Sequence, residues 1–412
     1  MVCFRAMVRA VLAAILLFYL GGVTAAAEAE AAPPLPERGL VSELGPELPH
    51  PEEEARSDPR FAAAARYTAA RQLSMMAAAL LIVASLLALH YGVGAGLDRL
   101  GRGHDLLRFA ITSAVVGVVV AVWLLAAAGV RVAFASRAGV APATSTFAGP
   151  GALALLAAAF TFSVGAARAR WPRTWWIAIT SAAVVGAVAG ILFLPLPPAR
   201  EPTSPTAGLL LERVQYLSSQ YRLPPYKIAI DDRPGATGRI VATAHPTRRT
   251  LVVTAGAQEL GRYEAEVFLA AAILRAEARR TSVAGALALI TFMASLIAAE
   301  PLARLVARRG GAEAKAPPPL LVYAAVLCAI WSAAGVAFAG WNRRLWLRAD
   351  AEAITLTRKP IAAITLYYRE AAANLRAAEP HPVLHFLADA APSPAERAAQ
   401  ARRLRLELAG RK

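Results

Sequence analysis

The feature that most limits what this chain can become is a series of apolar stretches long enough to cross the bilayer core. Crossing about 30 Å of hydrocarbon takes ~20 helical residues. Such stretches fall at 9–26, 73–96, 108–130, 150–167, 174–196, 282–304 and 319–340. In lipid a helix satisfies its own backbone groups, so the expected fold class is mainly α and integral to a membrane, with about seven transmembrane helices. Composition agrees, at 57% hydrophobic and 17% charged residues. The net charge of +16 would suit nucleic acid. Arginines flanking membrane helices account for it better, so no nucleic-acid partner is expected. Cys3 and Cys328 form no CxxC pair, which leaves cysteine metal sites and a disulfide framework without support.

Residues 1–27 describe equally a first transmembrane helix and a signal peptide, with Arg5 and Arg9, an apolar run and Ala25-Ala26-Ala27. Residues 28–69 read as an acidic, proline-rich linker, and 70–197 hold four spans. Residues 198–280 look like a soluble α+β piece. Helical periodicity runs over 207–221, β-branched runs at Lys227–Ile230 and Thr250–Val253 predict strands, and 259–280 predicts an amphipathic helix. A transmembrane pair, 281–340, separates this piece from a second soluble piece, 341–412, with helical stretches at 345–357 and 360–378. Arg99, Arg102 and Arg108, then Arg168, Arg170 and Arg173, then Arg308, Arg309 and Lys315 mark three loops as cytoplasmic. Both soluble pieces are then expected together on the extracytoplasmic side of a cell membrane. Trp171, Trp175, Trp176, Trp341 and Trp346 lie at span boundaries, where interfacial anchors belong.

Several short motifs recur in a telling order. They are Arg66-Tyr67-Thr68-Ala69-Ala70-Arg71, the segment Phe134–Val140 followed by Ser145-Thr146-Phe147, Leu194-Pro195-Leu196, and Thr247–Thr254. Ala349–Thr357 with Pro360, Asn374-Leu375, Pro380-His381-Pro382 and Pro392–Arg397 complete the series. Together they resemble the CAAX prenyl protease type 1 (HtpX-like) family of integral-membrane zinc metallopeptidases. The resemblance implies a zincin-like α+β soluble domain split around the last two helices, and a chamber holding a polypeptide or lipid segment within the membrane helices. It also implies a zinc ion held by two histidines one helical turn apart, a glutamate that deprotonates the metal-bound water, and a third glutamate ligand.

This chain departs from that pattern at every such position. Aligned without gaps from Glu264, the metal histidines fall on Ala271 and Arg275, and the general base falls on Ala272. The third ligand falls on Arg348, and an auxiliary histidine on Ala391. Asp350, which resembles the residue that orients a metal histidine, and Arg397 survive. No zinc or other cofactor is therefore expected. Of the six histidines only His381 and His385 share i, i+4 spacing, with no carboxylate following the first, so the expected role there is packing rather than metal binding.

Two arginines, Arg275 and Arg348, are thus expected to converge where a dication would sit. They would either be compensated by Asp350, Glu277 or Glu352 in a structural cluster, or present forked donors to a ligand. The binding candidates are Arg275, Arg348, Asp350 and Arg397. The function expected is that of a binding or regulatory pseudopeptidase with membrane lipid as its surroundings. An active zinc endopeptidase with non-standard ligands, and a transport or channel protein, are the alternatives. The last predicts ionisable residues inside the spans.

Overall fold

The structure is a computed structural model that describes residues 59–100, 104–137, 148–181, 205–231, 239–245, 249–281, 284–309 and 319–409. The stretch 9–26 and most of 174–196 lie outside the described residues, as do residues 1–27 as a whole. Among the described residues five helices are long and apolar enough to cross a membrane. Four of these are α1 (Pro59–Leu100), α2 (Asp105–Arg137), α3 (Ala148–Arg170) and α6 (Ala284–Arg309). The fifth, α7, runs over Leu320–Thr357.

Their side chains sort as lipid requires. Leu80 is 70% exposed and Leu155 74%, so large aliphatic groups face outward. Such a surface would be an aggregation liability in water and is ordinary in a bilayer. Inside the bundle, Ile82 and Leu86 of α1 meet Val116 and Val120 of α2 and Leu321, Ala324 and Ala325 of α7. A second cluster joins Val164 and Ala167 of α3 to Leu296, Ala299 and Ala303 of α6 and to Val322, Tyr323 and Leu327 of α7. Small residues allow the helices to approach. A Cβ placed on Gly117 of α2 would lie 2.9 Å from the Ala158 Cβ on α3, so that crossing requires glycine.

Two helices outrun the membrane. At 1.5 Å per residue, α7 is roughly 57 Å long and α1 roughly 63 Å. The linker expected over 28–69 therefore ends early: residues 59–69 are already helical, because the run Arg60–Arg71 carries no helix breaker. Likewise the stretches 319–340 and 345–357 are one helix, with nothing in Trp341-Asn342-Arg343-Arg344 to break it. It stops where Arg358 adopts a left-handed conformation, φ 54°, ahead of a helix-starting proline.

The protruding ends dock on a soluble body built from both outlying pieces. Its elements are α4 (Pro205–Tyr221), β1 (Lys227–Asp231), β2 (Ala242–His245), β3 (Thr250–Thr254), a 3-10 turn at Ala255–Glu259 and α5 (Arg262–Thr281). After α7 come α8 (Pro360–Ala373), α9 (Pro382–Ala388) and α10 (Pro394–Ala409). The sheet order is β1-β3-β2, with β1 parallel and β2 antiparallel to β3. Strand β2 carries little β-branched character and was not anticipated. Asn374 after α8 holds its approach, accepting from Ile240 N at 3.3 Å and donating to Ile240 O at 2.8 Å.

One hydrophobic core unites Leu210 and Val214 of α4, Leu251 and Val253 of β3, Val267 to Ile273 of α5, Ile354 of α7, Tyr367 of α8 and Ala398 of α10. Helix α5 is its axis. Residues 264–273 are all buried, so this helix is enclosed on every side rather than amphipathic. The resulting demand for small residues explains Ala270-Ala271-Ala272. Its buried Glu266 is matched by Arg213 of α4 at 2.9 Å and by Lys359.

Candidate functional site

The sequence motifs of α5, α7 and α10 do meet, at the membrane-distal end of α7. Arg397 of α10 is 3% exposed and donates through Nε to Asp350 Oδ2 at 2.7 Å and through Nη2 to Oδ1 at 3.3 Å. Its Nη1 donates to Glu370 Oε2 of α8 at 2.7 Å. The guanidinium carbon lies over the Tyr367 ring, 3.9 Å from its centroid. Burial by itself would disfavour the charged arginine, yet Asp350 and Glu370 hold Arg397 protonated well above its ordinary range. For Glu370 the balance is the mirror image: burial pushes its carboxyl up, Arg397 and Arg275 pull it down, and it ends below the usual carboxylate range. Tyr367, wholly buried, is pushed above the usual phenol range, first by burial and then by the charge of Asp350.

The sequence offered Asp350 as a counter-charge for Arg275 and Arg348; the fold pairs it with Arg397 instead. Glu370 was not anticipated. The only available signal was a glutamate amid the apolar sequence of α8, in Leu366-Tyr367-Tyr368-Arg369-Glu370-Ala371, where a buried carboxylate demands a cation.

The remaining predicted positions separate. Ala271 and Ala272 are 1% and 4% exposed, on the buried middle of α5. Arg275, one turn further on, is enclosed, with its guanidinium 3.8 Å from the centroid of the Trp346 indole on α7 and its Nε donating to Ala271 O at 3.0 Å. Burial lowers its proton affinity more than Asp350 restores it. Arg348 does not join it. The Arg348 side chain is 78% exposed and pairs along its own helix with Glu352 at 2.9 Å. The expected convergence of two arginines is therefore corrected. Residues 348 and 350 lie on different faces of α7, since 200° of helical rotation separates two positions about 100° apart per residue, and only 350 faces the core. Glu277 instead accepts a hydrogen bond from the Tyr226 hydroxyl at 2.8 Å. Ala391 is buried between α9 and α10.

These positions do not fit zinc. Two methyl groups and a guanidinium offer no lone pair to a cation, and the exposed Arg348 supplies none. Among the described residues no group of three His, Cys, Asp or Glu side chains is arranged to hold a metal ion.

His385 of α9 has a different role. It is buried, with Nδ1 3.0 Å from Asp389 Oδ2 and Nε2 3.2 Å from Glu396 Oε2. Burial would lower its pKa, but the hydrogen bonds to Asp389 and Glu396 raise it to about 9. Glu396 falls to about 2, chiefly through the His385 hydrogen bond. Asp389 also accepts from Gln72 of α1 at 2.5 Å and pairs with Arg71, so the cluster fastens α1 to the soluble body. Glu396 and Ser393 form a reciprocal capping box at the start of α10, with Ser393 N donating to Glu396 Oε2 at 2.7 Å and Glu396 N to Ser393 Oγ at 3.1 Å. Within the bundle, Arg168 of α3 pairs with Glu300 of α6 at 3.1 Å.

A bundle of membrane-crossing helices, two of which extend into a mixed α+β body closed by C-terminal helices, defines an integral membrane protein. Among solved structures, the fold is similar to that of Ste24p from S. mikatae, with a TM-score of 0.59, covering 97% of this chain and 98% of that one. Sequence identity is 13%, so the likeness is one of fold. Ste24p is a CAAX prenyl protease 1 family protein, and the resemblance read from the motifs thus extends to the three-dimensional architecture. No family model matches the chain, and no curated protein matches it in sequence.

Proposed function

We propose that this protein is a non-hydrolytic relative of the membrane metallopeptidases, a binding or regulatory pseudopeptidase. The observation that carries the reading is the chemistry at α5. At the positions of the two metal histidines and the base stand Ala271, Arg275 and Ala272, in a helix too tightly enclosed for other side chains to replace them. A water molecule needs a metal or a base to become a nucleophile at neutral pH. The cluster around Arg397 supplies neither, because both its carboxylates are committed to a guanidinium. In this reading the α+β body is zincin-like and split around α6 and α7, and it stands on the extracytoplasmic side of a cell membrane, as the loop charges favour. The helix bundle holds a polypeptide or lipid segment without cutting it.

Metal content tests this. The full chain, purified in detergent and dialysed against a weak chelator, is expected to carry far less than one zinc per chain and to leave unfolded polypeptide substrates intact. One tightly held equivalent of zinc with chelator-sensitive cleavage would establish the active-peptidase alternative instead.

A further inference from the structure

Each of the three side-chain nitrogens of Arg397 donates to a carboxylate, and none of those of Arg275 does among the described residues. Arg397 takes both oxygens of Asp350 and one of Glu370. Arg275, 8% exposed, has one bond, from Nε to the carbonyl of Ala271 in its own helix. Its two terminal nitrogens have no acceptor, and no ion pair reaches it, among the described residues. Enclosing a guanidinium without a carboxylate of its own is among the costlier arrangements in a protein. Two further donors nearby share the deficit. The indole Nε1 of Trp346, whose ring Arg275 covers, and the hydroxyl of Tyr367, whose ring Arg397 covers, are buried without partners. The site has donors to spare and lacks an acceptor.

We infer that Arg275, stacked on Trp346, is the receptor for a carboxylate group carried by a ligand. The planar fork of a guanidinium matches a carboxylate edge to edge, and the Trp346 indole, 3.8 Å from the guanidinium carbon, covers one side of it. Charge selects the same group. Asp350 and Glu370 already stand beside Arg397, so a singly charged carboxylate enters at less electrostatic cost than a phosphate dianion. Two guanidiniums repel a metal cation. The inference deepens the non-hydrolytic reading: what took the place of the metal-binding side chains is a cation that belongs to the protein.

The test is thermal unfolding of the detergent-purified full chain in chloride, acetate and phosphate at matched ionic strength. For a single bidentate contact, half-saturation at on the order of 1 mM acetate is expected, with a saturable rise of several degrees by 100-fold excess, roughly. Phosphate should act more weakly. Arg275→Met should melt at or above the wild-type temperature in chloride and lose the acetate response, while Arg348→Met keeps it. A short apolar peptide with a free carboxyl terminus, compared with its amide, separates a polypeptide source from a small free acid. A response to the free peptide alone identifies a polypeptide, and a response to acetate without the peptide identifies a small acid. Unchanged melting in acetate and in the free-carboxyl peptide alike, or a response to either that Arg275→Met retains, overturns the inference. If Arg275→Met does not fold, equilibrium dialysis of labelled acetate and of the labelled free-carboxyl peptide against wild type decides, and no saturable binding of either overturns it. Zinc measured in the same sample keeps the two questions apart, since metal would refute the non-hydrolytic reading whatever acetate does.

Discussion

Replacing Arg397 by methionine should reverse the pH dependence of this protein's stability. The guanidinium makes three charged hydrogen bonds to two carboxylates that are 0% and 6% exposed. Removing one partner of a buried ion pair costs about 3–5 kcal/mol, because the survivor keeps its desolvation penalty without compensation. With two carboxylates stranded, the upper part of that range applies, which for a body of this size corresponds to a melting shift of roughly 10–20 °C. In the wild type Glu370 titrates below its unfolded value, so its contribution is present above about pH 4.3 and is lost as pH falls through the lower folded value. In Arg397→Met the buried Glu370 carboxyl loses the cation that most offsets its burial and is expected to bind a proton to stay inside. Its folded pKa then lies above the unfolded one, and stability rises as pH falls from 7.5 to 5. Near-UV circular dichroism melts of the detergent-purified protein at the two pH values read both slopes. The triple variant Arg397→Met, Asp350→Asn, Glu370→Gln should recover most of the loss at pH 7.5, because no stranded charge remains. A single Arg397→Met that melts within about 3 °C of wild type at pH 7.5 would refute the buried triad.

The His385 cluster gives a prediction of opposite sign. Its pKa is raised to about 9, so the stabilisation is full below about pH 6.5 and is lost as pH rises through 9. Hydrogen exchange at the start of α1, which Asp389 holds through Arg71 and Gln72, should accelerate beyond base catalysis above pH 9, and His385→Ala should abolish that extra step at a cost of about 1–3 kcal/mol. Arg348→Ala should change stability by less than about 0.5 kcal/mol, since exposed i, i+4 pairs contribute little; a loss above 2 kcal/mol in denaturant melts would show that Arg348 packs inward.

Of the fold, what the sequence determined was everything set by local composition. Apolar length fixed the helices later seen as α1, α2, α3, α6 and α7, and β-branched runs located β1 and β3. That no imidazole or carboxylate stands at Ala271, Ala272 or Arg275 was equally legible, because a missing side chain is missing in any fold. Tertiary structure alone decided which charges meet. Arg275 and Arg348 look alike on paper; packing around α5 buries one, and the rotation between positions 348 and 350 turns the other to solvent. Asp350, Glu370 and Arg397 come from three helices and become partners only when α7, α8 and α10 close over α5. Strand β2 exists because β3 offered an edge and Asn374 held the approach, neither of which residues 242–245 encode. A residue type states which charge is available, and the burial that makes a charge require a partner is a property of the assembled core.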